Sequence, residues 1–360
     1  MKRPYYLFSN GRLRRRQNTL FLERADAARV PDDDPEDTGS PSGNPTGDKV
    51  PFPIEQVDHI YAFGEIDINT KLVTFLAQQG VPLHFFDYYG NYTATLCPRA
   101  YLQSGRLKVA QVRHYLNRRK RLVLARAFVD AASYNILRVV KYYITRARGE
   151  TADELQALAS GIDAERAGMA AAGCVAELMG IEGRIRKAYY ESWPAILGEA
   201  GADFHLEKRE RRPPSNELNA LISFGNAMCY TIVLKQIYRT ALDPTISYLH
   251  EPGDRRFSLA LDLSEVFKPL LVDRAIFRLI KTRALMPSDF EERIGGVYLR
   301  EAGRRTFVQH WDERLKSTIR HRSLDRNVSY ERLVRLECYR LIRHLFDPAG
   351  DPYTGFRMWW

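Results

Sequence analysis

The sequence predicts an α+β protein with a small N-terminal β-rich domain, residues 1–100, and a larger all-α C-terminal domain, residues 101–360. Two observations predict this division. Short apolar stretches separated by Gly, Pro and Asn dominate residues 1–100 and are typical of strands and turns. From Arg106 onward, apolar residues recur three and four positions apart, as on one face of a helix. The 360 residues are enough for two ordinary domains.

Local patterns predict the elements of the N-terminal domain. "YYLFSN" and "TLFLER" flank a Gly-containing basic segment and predict a hairpin. "QVDHIYAFG" predicts a strand, and "NTKLVTFLAQQG" predicts a helix that is capped by Asn69 and ended by Gly80. "VPLHFFDYYGNYTATLCP" predicts two strands around a Gly turn. Residues 26–52 are rich in Pro, Gly, Ser and Asp and predict a mobile loop, because such a segment buries too little apolar surface.

The C-terminal domain is predicted to be helical throughout. The segment from Arg106 to Arg148 has apolar residues at helical spacing and cations on its other faces. Further helical patterns cover residues 152–160, 163–197, 215–241, 257–285, 289–293, 302–321 and 328–346. Strand signals are scarce after Tyr101. The aromatic tail after Phe346 fits either packing against the body of the domain or contact with a partner.

Charge and cysteine content narrow the class of protein. With 54 Lys and Arg against 44 Asp and Glu, the net charge is +10, which suits a polyanionic partner such as nucleic acid or an anionic membrane. The four cysteines show no Cys-x-x-Cys spacing, which argues against a zinc ribbon or an iron–sulfur cluster. No signal peptide and no run of about 18 apolar residues is present, so we expect a cytoplasmic protein without a membrane span. The sequence also lacks a Walker A loop and the GxGxxG, GxSxG and HExxH motifs.

Basic residues are concentrated in four runs, "GRLRRRQ", "HYLNRRKRLVLAR", "FHLEKRERRPP" and "RLKSTIRHRSLDRN". One such run usually marks a solvated face, but four runs, two of them near tyrosines, predict contacts with a phosphate backbone. No base-reading motif accompanies them, so we expect binding that depends on DNA structure more than on sequence. The candidate DNA contacts are Arg14, Arg15, Arg16, Arg118, Arg119, Lys120, Arg211, Arg212, Arg320 and Arg322.

Three acids fall within apolar helical patterns. Glu182 lies on the apolar stripe of the pattern 163–197, where an unpaired carboxylate is costly and requires a cation or a metal. In the pattern that begins at Ser258, a candidate N-cap, Asp262 lies on the apolar stripe and Glu265 lies one row beside it. His250 precedes this helix at a Pro-Gly turn that can bring it back to the helix start.

Two interpretations of these residues stay open on the sequence alone. Carboxylate oxygens with one imidazole suit Mg²⁺ or Mn²⁺ better than zinc, and such an ion stabilises charge on a phosphate. In the other interpretation, the acids form a buried network with cations. Arg186, one turn after Glu182, or a basic residue on a neighbouring helix would then neutralise them.

Three motifs occur in the order and approximate spacing of a known family: "IEGRIRKAYYESW", "RRPPSNELNALISFGNAMCY" and "DPTISYLHEPGDRRFSLALDLSEVFKPLLVDRAIF". Over nearly the whole chain, the sequence resembles the CRISPR adaptation integrases, the first-numbered Cas proteins. The resemblance implies a metal-dependent DNA endonuclease/integrase that inserts prespacer DNA into a CRISPR array by 3′-hydroxyl attack on a repeat phosphodiester. It also implies that Glu182, His250 and Glu265 are catalytic and bind Mg²⁺ or Mn²⁺, with Asp262 as a supporting acid. The insertion at residues 26–52 departs from the family pattern.

The resemblance further implies several partners. These are double-stranded DNA (prespacer and CRISPR repeat), a second copy of the chain bound through the β domains, and the small ferredoxin-like second-numbered Cas protein. It also allows a separate fourth-numbered Cas nuclease. Two other functions stay open: a non-catalytic basic helical DNA-binding or scaffold protein whose acids are salt-bridged, and a hydrolytic nuclease that acts on branched DNA at the same site.

Overall fold

The computed structural model of this chain describes residues 2–24, 49–97, 102–206, 208–210, 213–254, 256–293 and 295–359. The chain divides into two compact units, Met1–Tyr101 and Leu102–Trp360. Most elements of the first unit are strands, and most elements of the second unit are helices. The predicted α+β class, strand-rich first and helical second, is therefore confirmed.

The N-terminal unit contains two four-stranded sheets. Its strands are β1 (Arg3–Leu7), β2 (Gly11–Arg16), β3 (Thr19–Arg24), β4 (Lys49–Pro53), β5 (Val57–Ala62), β6 (Ile66–Asp67), β7 (Leu83–Phe86) and β8 (Tyr92–Leu96). The sheet orders are β1-β5-β7-β8 and β4-β3-β2-β6. Helix α1 (Thr70–Gln79) begins and ends as predicted, because Asn69 Oδ1 accepts the Leu72 N–H at 2.9 Å and Gly80 has a left-handed φ of 67°. Apolar side chains of both sheets and α1 share one core.

Two predictions for this unit are wrong. The hairpin does not join "YYLFSN" to "TLFLER": β1 pairs in parallel with β5, and β2 pairs with β3. The basic segment is itself a strand, in which Leu13 is fully buried and all four arginines are exposed. Part of the predicted loop 26–52 is also a strand, since β4 pairs with β3 and buries Phe52 in the core. Residues 26–48 of that loop lie outside the described residues.

The C-terminal unit is built on ten α-helices within the residues that the structure describes. They are α2 (Gly105–Leu116), α3 (Arg118–Ile144), α4 (Glu150–Gly168), α5 (Val175–Glu191), α6 (Trp193–Leu197), α7 (Glu217–Tyr238), α8 (Ser258–Lys268), α9 (Arg274–Lys281), α10 (Glu301–Lys316) and α11 (Tyr330–Phe346). A π-helical turn, Pro269–Asp273, lies between α8 and α9. Two short antiparallel hairpins pair β9 (Phe290–Arg293) with β10 (Gly296–Leu299), and β11 (Thr318–His321) with β12 (Arg326–Ser329).

These hairpins were missed because four-residue strands carry little periodic signal. The helix predicted over residues 289–293 is wrong, since β9 occupies that stretch, and the helix predicted over 302–321 ends at Lys316. The long helical pattern from Arg106 is divided at Asn117, whose side chain caps α3 by accepting the Lys120 N–H at 3.1 Å. The boundaries differ most where a polar side chain or a glycine lets the backbone leave the helix.

Helix α7 lies in the core of the C-terminal unit and packs against α8 and α11. By length and composition it is the one helix of the described chain that could cross a membrane, but 78% of its apolar window is buried inside the structure. Its apolar surface is therefore used in packing. Helix α8 contacts both α7 and α3, which buries most of its side chains and brings its acids into the interior.

Candidate active site

Helix α8 carries both acids that periodicity placed near the apolar stripe. Asp262 is completely buried, and Glu265 is 7% exposed. The predicted N-cap is wrong: Ser258 is already helical, and its hydroxyl donates to the Thr245 carbonyl at 2.8 Å. Because a nearby carbonyl satisfies that hydroxyl, it does not cap its own helix. The burial of the two acids, which the prediction depended on, is unaffected.

Asp262 holds the segment that carries His250. Its Oδ2 accepts the N–H groups of Tyr248 at 2.7 Å and Leu249 at 3.0 Å, and its Oδ1 accepts the His250 N–H at 2.9 Å. Oδ1 also lies 2.8 Å from His250 Nδ1. An ionised carboxylate only accepts, so Nδ1 carries a proton, and in the neutral form of the ring the lone pair lies on Nε2. A histidine oriented in this way is ready to bind a metal or exchange a proton through Nε2.

A second contact fixes the same segment from α3. Arg121 donates from Nε to the Tyr248 carbonyl at 2.9 Å and from a terminal nitrogen to Glu251 at 2.6 Å. Tyr115 also donates to Glu251, at 3.0 Å. The backbone around His250 is therefore held by α8 on one side and by the start of α3 on the other. Sequence analysis placed His250 on a turn but did not predict these partners.

Glu182 and Glu265 both form ion pairs with a single cation, Arg186. Arg186, one turn after Glu182 on α5, lies 2.5 Å from Glu182 Oε1 through Nε and pairs with Glu265 through a terminal nitrogen. Lys268 lies 2.5 Å from the other oxygen of Glu265. Burial raises the pKa of Glu265, but the charges of Arg186 and Lys268 outweigh it and lower that pKa to about 2. Glu265 is therefore a carboxylate at any physiological pH.

The donor types fit a hard divalent ion. Two carboxylates converge on one positive charge, and His250, whose charge Glu265 also senses, adds an imidazole. Among the described residues, no three His, Cys, Asp or Glu side chains are grouped closely enough to hold an ion. Arg186 and Lys268 instead pair with the Glu265 oxygens. An ion at this position would replace those two cations. The same contacts agree with the salt-bridged alternative, which names Arg186 as the partner of Glu182.

Asp273 is a site residue that sequence analysis missed. It ends the π-helical turn after α8, is 1% exposed, and has an Oδ2 without a hydrogen-bond partner among the described residues. Burial raises its pKa to about 7 although Arg186 opposes this shift. The buried Tyr189 hydroxyl interacts with Asp273 electrostatically, but it too lacks a hydrogen bond of normal geometry in the described structure. The available signal was an acid inside the apolar run "PLLVDRAIF".

The candidate DNA contacts are exposed where they are described. Arg14, Arg15 and Arg16 lie on β2, Arg118, Arg119 and Lys120 begin α3, and Arg320 and Arg322 lie on or just after β11. Arg211 and Arg212 lie outside the described residues. Some of these side chains have intramolecular partners, such as Arg14 with Glu23 at 3.1 Å and Arg320 with Asp325 at 2.7 Å. The Arg320–Asp325 pair is exposed on both sides, and such a surface pair contributes little that would oppose contact with a phosphate.

A buried acid–histidine cluster in a strongly basic two-unit α+β chain indicates an enzyme that acts on nucleic acid. The family model described as CRISPR associated protein Cas1 matches residues 5–313. The CRISPR-associated endonuclease Cas1 2 of Moorella thermoacetica is 47% identical over 358 residues, which cover 99% of this chain and 100% of that protein. The chain therefore belongs to the Cas1 family, as its three motifs predicted.

Solved structures agree with this assignment. A Cas1 protein from Thermotoga maritima superposes with a TM-score of 0.81 at 36% identity, covering 99% of this chain and 100% of that one. A casposase bound to integration product has a TM-score of 0.79 at 19% identity, covering 100% of this chain and 95% of that one. At that identity the second likeness shows the fold alone.

Proposed function

We propose that this chain is a DNA endonuclease/integrase of CRISPR adaptation. The observation that carries the proposal is the convergence of Glu182 and Glu265 on one cation, beside His250 oriented by Asp262. Its full-length similarity to a CRISPR-associated endonuclease supports the same activity. In the proposed reaction, the 3′-hydroxyl of the incoming DNA attacks a phosphodiester of the repeat. One P–O bond forms, another breaks, and the leaving 3′-oxygen takes up a proton, so no ATP site is required.

We propose that Glu182, His250 and Glu265 hold Mg²⁺ or Mn²⁺. When bound, the ion supplies Lewis-acid stabilisation of the charge on the phosphate. Asp262 keeps the Nε2 lone pair of His250 directed away from the backbone segment that it anchors. Arg186 and Lys268, which pair with Glu265, would be available as cations for a phosphate if an ion took over the carboxylates.

The proposed partners follow from charge and family. Double-stranded prespacer and CRISPR repeat DNA suit the net charge of +10 and the exposed arginine runs. A homodimer, the second-numbered Cas protein and a separate fourth-numbered Cas nuclease are proposed from the family resemblance, as is action in the cytoplasm. The corresponding DNA contacts, including Arg211 and Arg212, stay predictions.

A purified strand-transfer assay with prespacer DNA, repeat DNA and Mn²⁺ tests the proposal. Joined products are expected from the wild type, and none from Glu182→Ala, His250→Ala or Glu265→Ala, while duplex binding is retained. Full integration by His250→Ala would contradict the site. Products that are cut but never joined would instead identify the hydrolytic nuclease.

The salt bridges of Arg186 favour a second candidate, a non-catalytic DNA-binding or scaffold protein. Thermal melting separates the two candidates, because an ion that binds only the folded chain raises the melting temperature by linkage. A melting temperature that is equal in Mn²⁺ and in EDTA would support the scaffold.

A further inference from the structure

The aromatic tail, whose role the sequence left open, packs against the body of the C-terminal unit. We call residues 352–359 the C-terminal strap. Within it, Tyr353, Phe356 and Met358 are buried, and Tyr353 donates to Glu337 of α11 at 2.7 Å. Gly355 has a left-handed φ of 69°, and a Cβ there would lie 2.5 Å from the Ala131 Cβ. The strap backbone therefore lies directly on α3, and only glycine fits at its closest approach.

One side chain joins the strap to both neighbouring helices. Asn135 of α3 is completely buried. Its Nδ2 donates to the Val266 carbonyl at 2.9 Å and to the Phe356 carbonyl at 3.0 Å, and its Oδ1 accepts the Met358 N–H at 2.9 Å. Val266 directly follows Glu265 on α8. Two hydrogen bonds through Asn135 thus connect the strap to the backbone of Val266, the residue after the proposed ligand Glu265.

The end of α8 is irregular. Pro269 has no N–H, and the turn Pro269–Asp273 is π-helical, so the regular hydrogen-bond ladder of α8 is interrupted there. Asn135 supplies one donor to this last turn. Phe356 supplies packing, because its ring stacks on Phe267 with 5.5 Å between centroids. Both contacts are to the two residues that directly follow Glu265 on α8, Val266 and Phe267.

We infer that the C-terminal strap, through Asn135 and Phe356, is a positioning element for Glu265. The inference rests on the proposed function, which makes Glu265 a ligand of Mg²⁺ or Mn²⁺. A ligand must be held within about 0.5 Å of its productive position. Outer residues that orient metal ligands change metal affinity by about 10–100-fold when removed. Strap contacts that fix the last turn of α8 therefore determine how well the Glu265 carboxylate is positioned to bind an ion.

Three variants test the inference, with Mn²⁺ affinity of the full chain measured by calorimetry at a temperature where circular dichroism shows each variant folded. Phe356→Ala removes the stacking on Phe267 and should weaken Mn²⁺ binding about 10-fold or more. Phe356→Leu keeps most of the volume and should recover most of the affinity. Arg357→Ala is the matched control on the same strap, because Arg357 pairs with Asp130 of α3 and should leave Mn²⁺ affinity unchanged.

A measurement on the wild type covers the case in which Phe356→Ala does not fold. Coupling is reciprocal, so Mn²⁺ bound at Glu265 must in turn stabilise the strap. Saturating Mn²⁺ should slow hydrogen exchange of the Met358 amide, which donates to Asn135, and leave the amides of α1 unchanged. Unchanged exchange at Met358, or wild-type Mn²⁺ affinity in folded Phe356→Ala, overturns the inference. Failure of the wild type to bind Mn²⁺ would instead refute the proposed function.

Discussion

Asp262 and Glu265 lie one turn apart on the same buried helix, yet they are satisfied by different kinds of partner. Asp262 accepts hydrogen bonds from three backbone N–H groups and from the ring of His250. Glu265 is held by two long cationic side chains, Arg186 and Lys268. Backbone donors cannot leave without unfolding a segment, whereas side-chain cations can rotate away. The comparison supports the proposal that Asp262 is an anchor and that Glu265 is the acid that exchanges its cations for a metal.

The largest expected effect is on strand transfer. Glu265→Gln replaces the ionised carboxylate of a proposed ligand. The loss of several kcal/mol of transition-state stabilisation should lower the rate of strand transfer about 10³-fold. Asp262→Asn should lower it only about 10–100-fold, because it disturbs the orientation of the proposed ligand His250 but removes no ligand. Single-turnover rates on one prespacer substrate measure both. Equal losses for the two variants would break the distinction between anchor and ligand.

The next largest effect is on the free energy of unfolding and concerns Arg186, the cation that we propose a metal replaces. Arg186→Ala leaves Glu182 and Glu265 without their shared cation and should cost about 3 kcal/mol of unfolding free energy in EDTA. Mn²⁺ at 100 times its Kd should return about 2.7 kcal/mol, because the ion takes over the role of the guanidinium. Urea denaturation with and without Mn²⁺ measures this recovery. Lys187→Ala, on the same helix with a 79% exposed side chain, is the control and should change neither value.

Asp262→Asn should respond to Mn²⁺ differently from Arg186→Ala. Replacing the carboxylate weakens hydrogen bonds to buried backbone N–H groups, which costs about 1–3 kcal/mol. Mn²⁺ should stabilise Asp262→Asn no more than it stabilises the wild type, because an ion cannot supply an acceptor to those amides. The same urea titrations measure it. A Mn²⁺ stabilisation that is lost in Asp262→Asn as fully as in Glu265→Gln would show that Asp262 is itself a ligand.

The smallest expected effect concerns Asp273, which has neither kind of partner at Oδ2 among the described residues. Burial raises its pKa from 3.8 to about 7, so the folded chain binds more protons than the unfolded chain between these values. Its contribution to stability is therefore greatest at low pH and is lost as the pH rises through about 7. Asp273→Asn is neutral throughout, so it should flatten this fall.

Unfolding free energies at pH 5 and pH 8 check this prediction. Asp325→Asn, a matched change at a side chain that is 79% exposed, should keep the wild-type pH dependence. An unchanged fall in stability in Asp273→Asn would show that another group titrates in this range.

Local patterns were enough for some elements and not for others. The caps of α1 and the burial of Asp262 depend on residues within about one helical turn, so the sequence predicts them directly. The pairing of β1 with β5 and the existence of β4 depend on strands distant in the chain, and the predicted hairpin and loop were wrong there. Asp273 was missed because its burial depends on packing with other elements.

By itself, the sequence determined the division into a strand-rich and a helical part, the helical spacing of Asp262 and Glu265, and the order of the family motifs. Only the tertiary structure decided which partner each acid obtains, because those partners come from α5, from α3 and from the segment before α8. Periodicity reports which face of a helix is buried, but the donors that meet a buried carboxylate lie on other elements. Periodicity therefore made Asp262 the more conspicuous acid, whereas its contacts make it the anchor and leave Glu265 free to exchange partners.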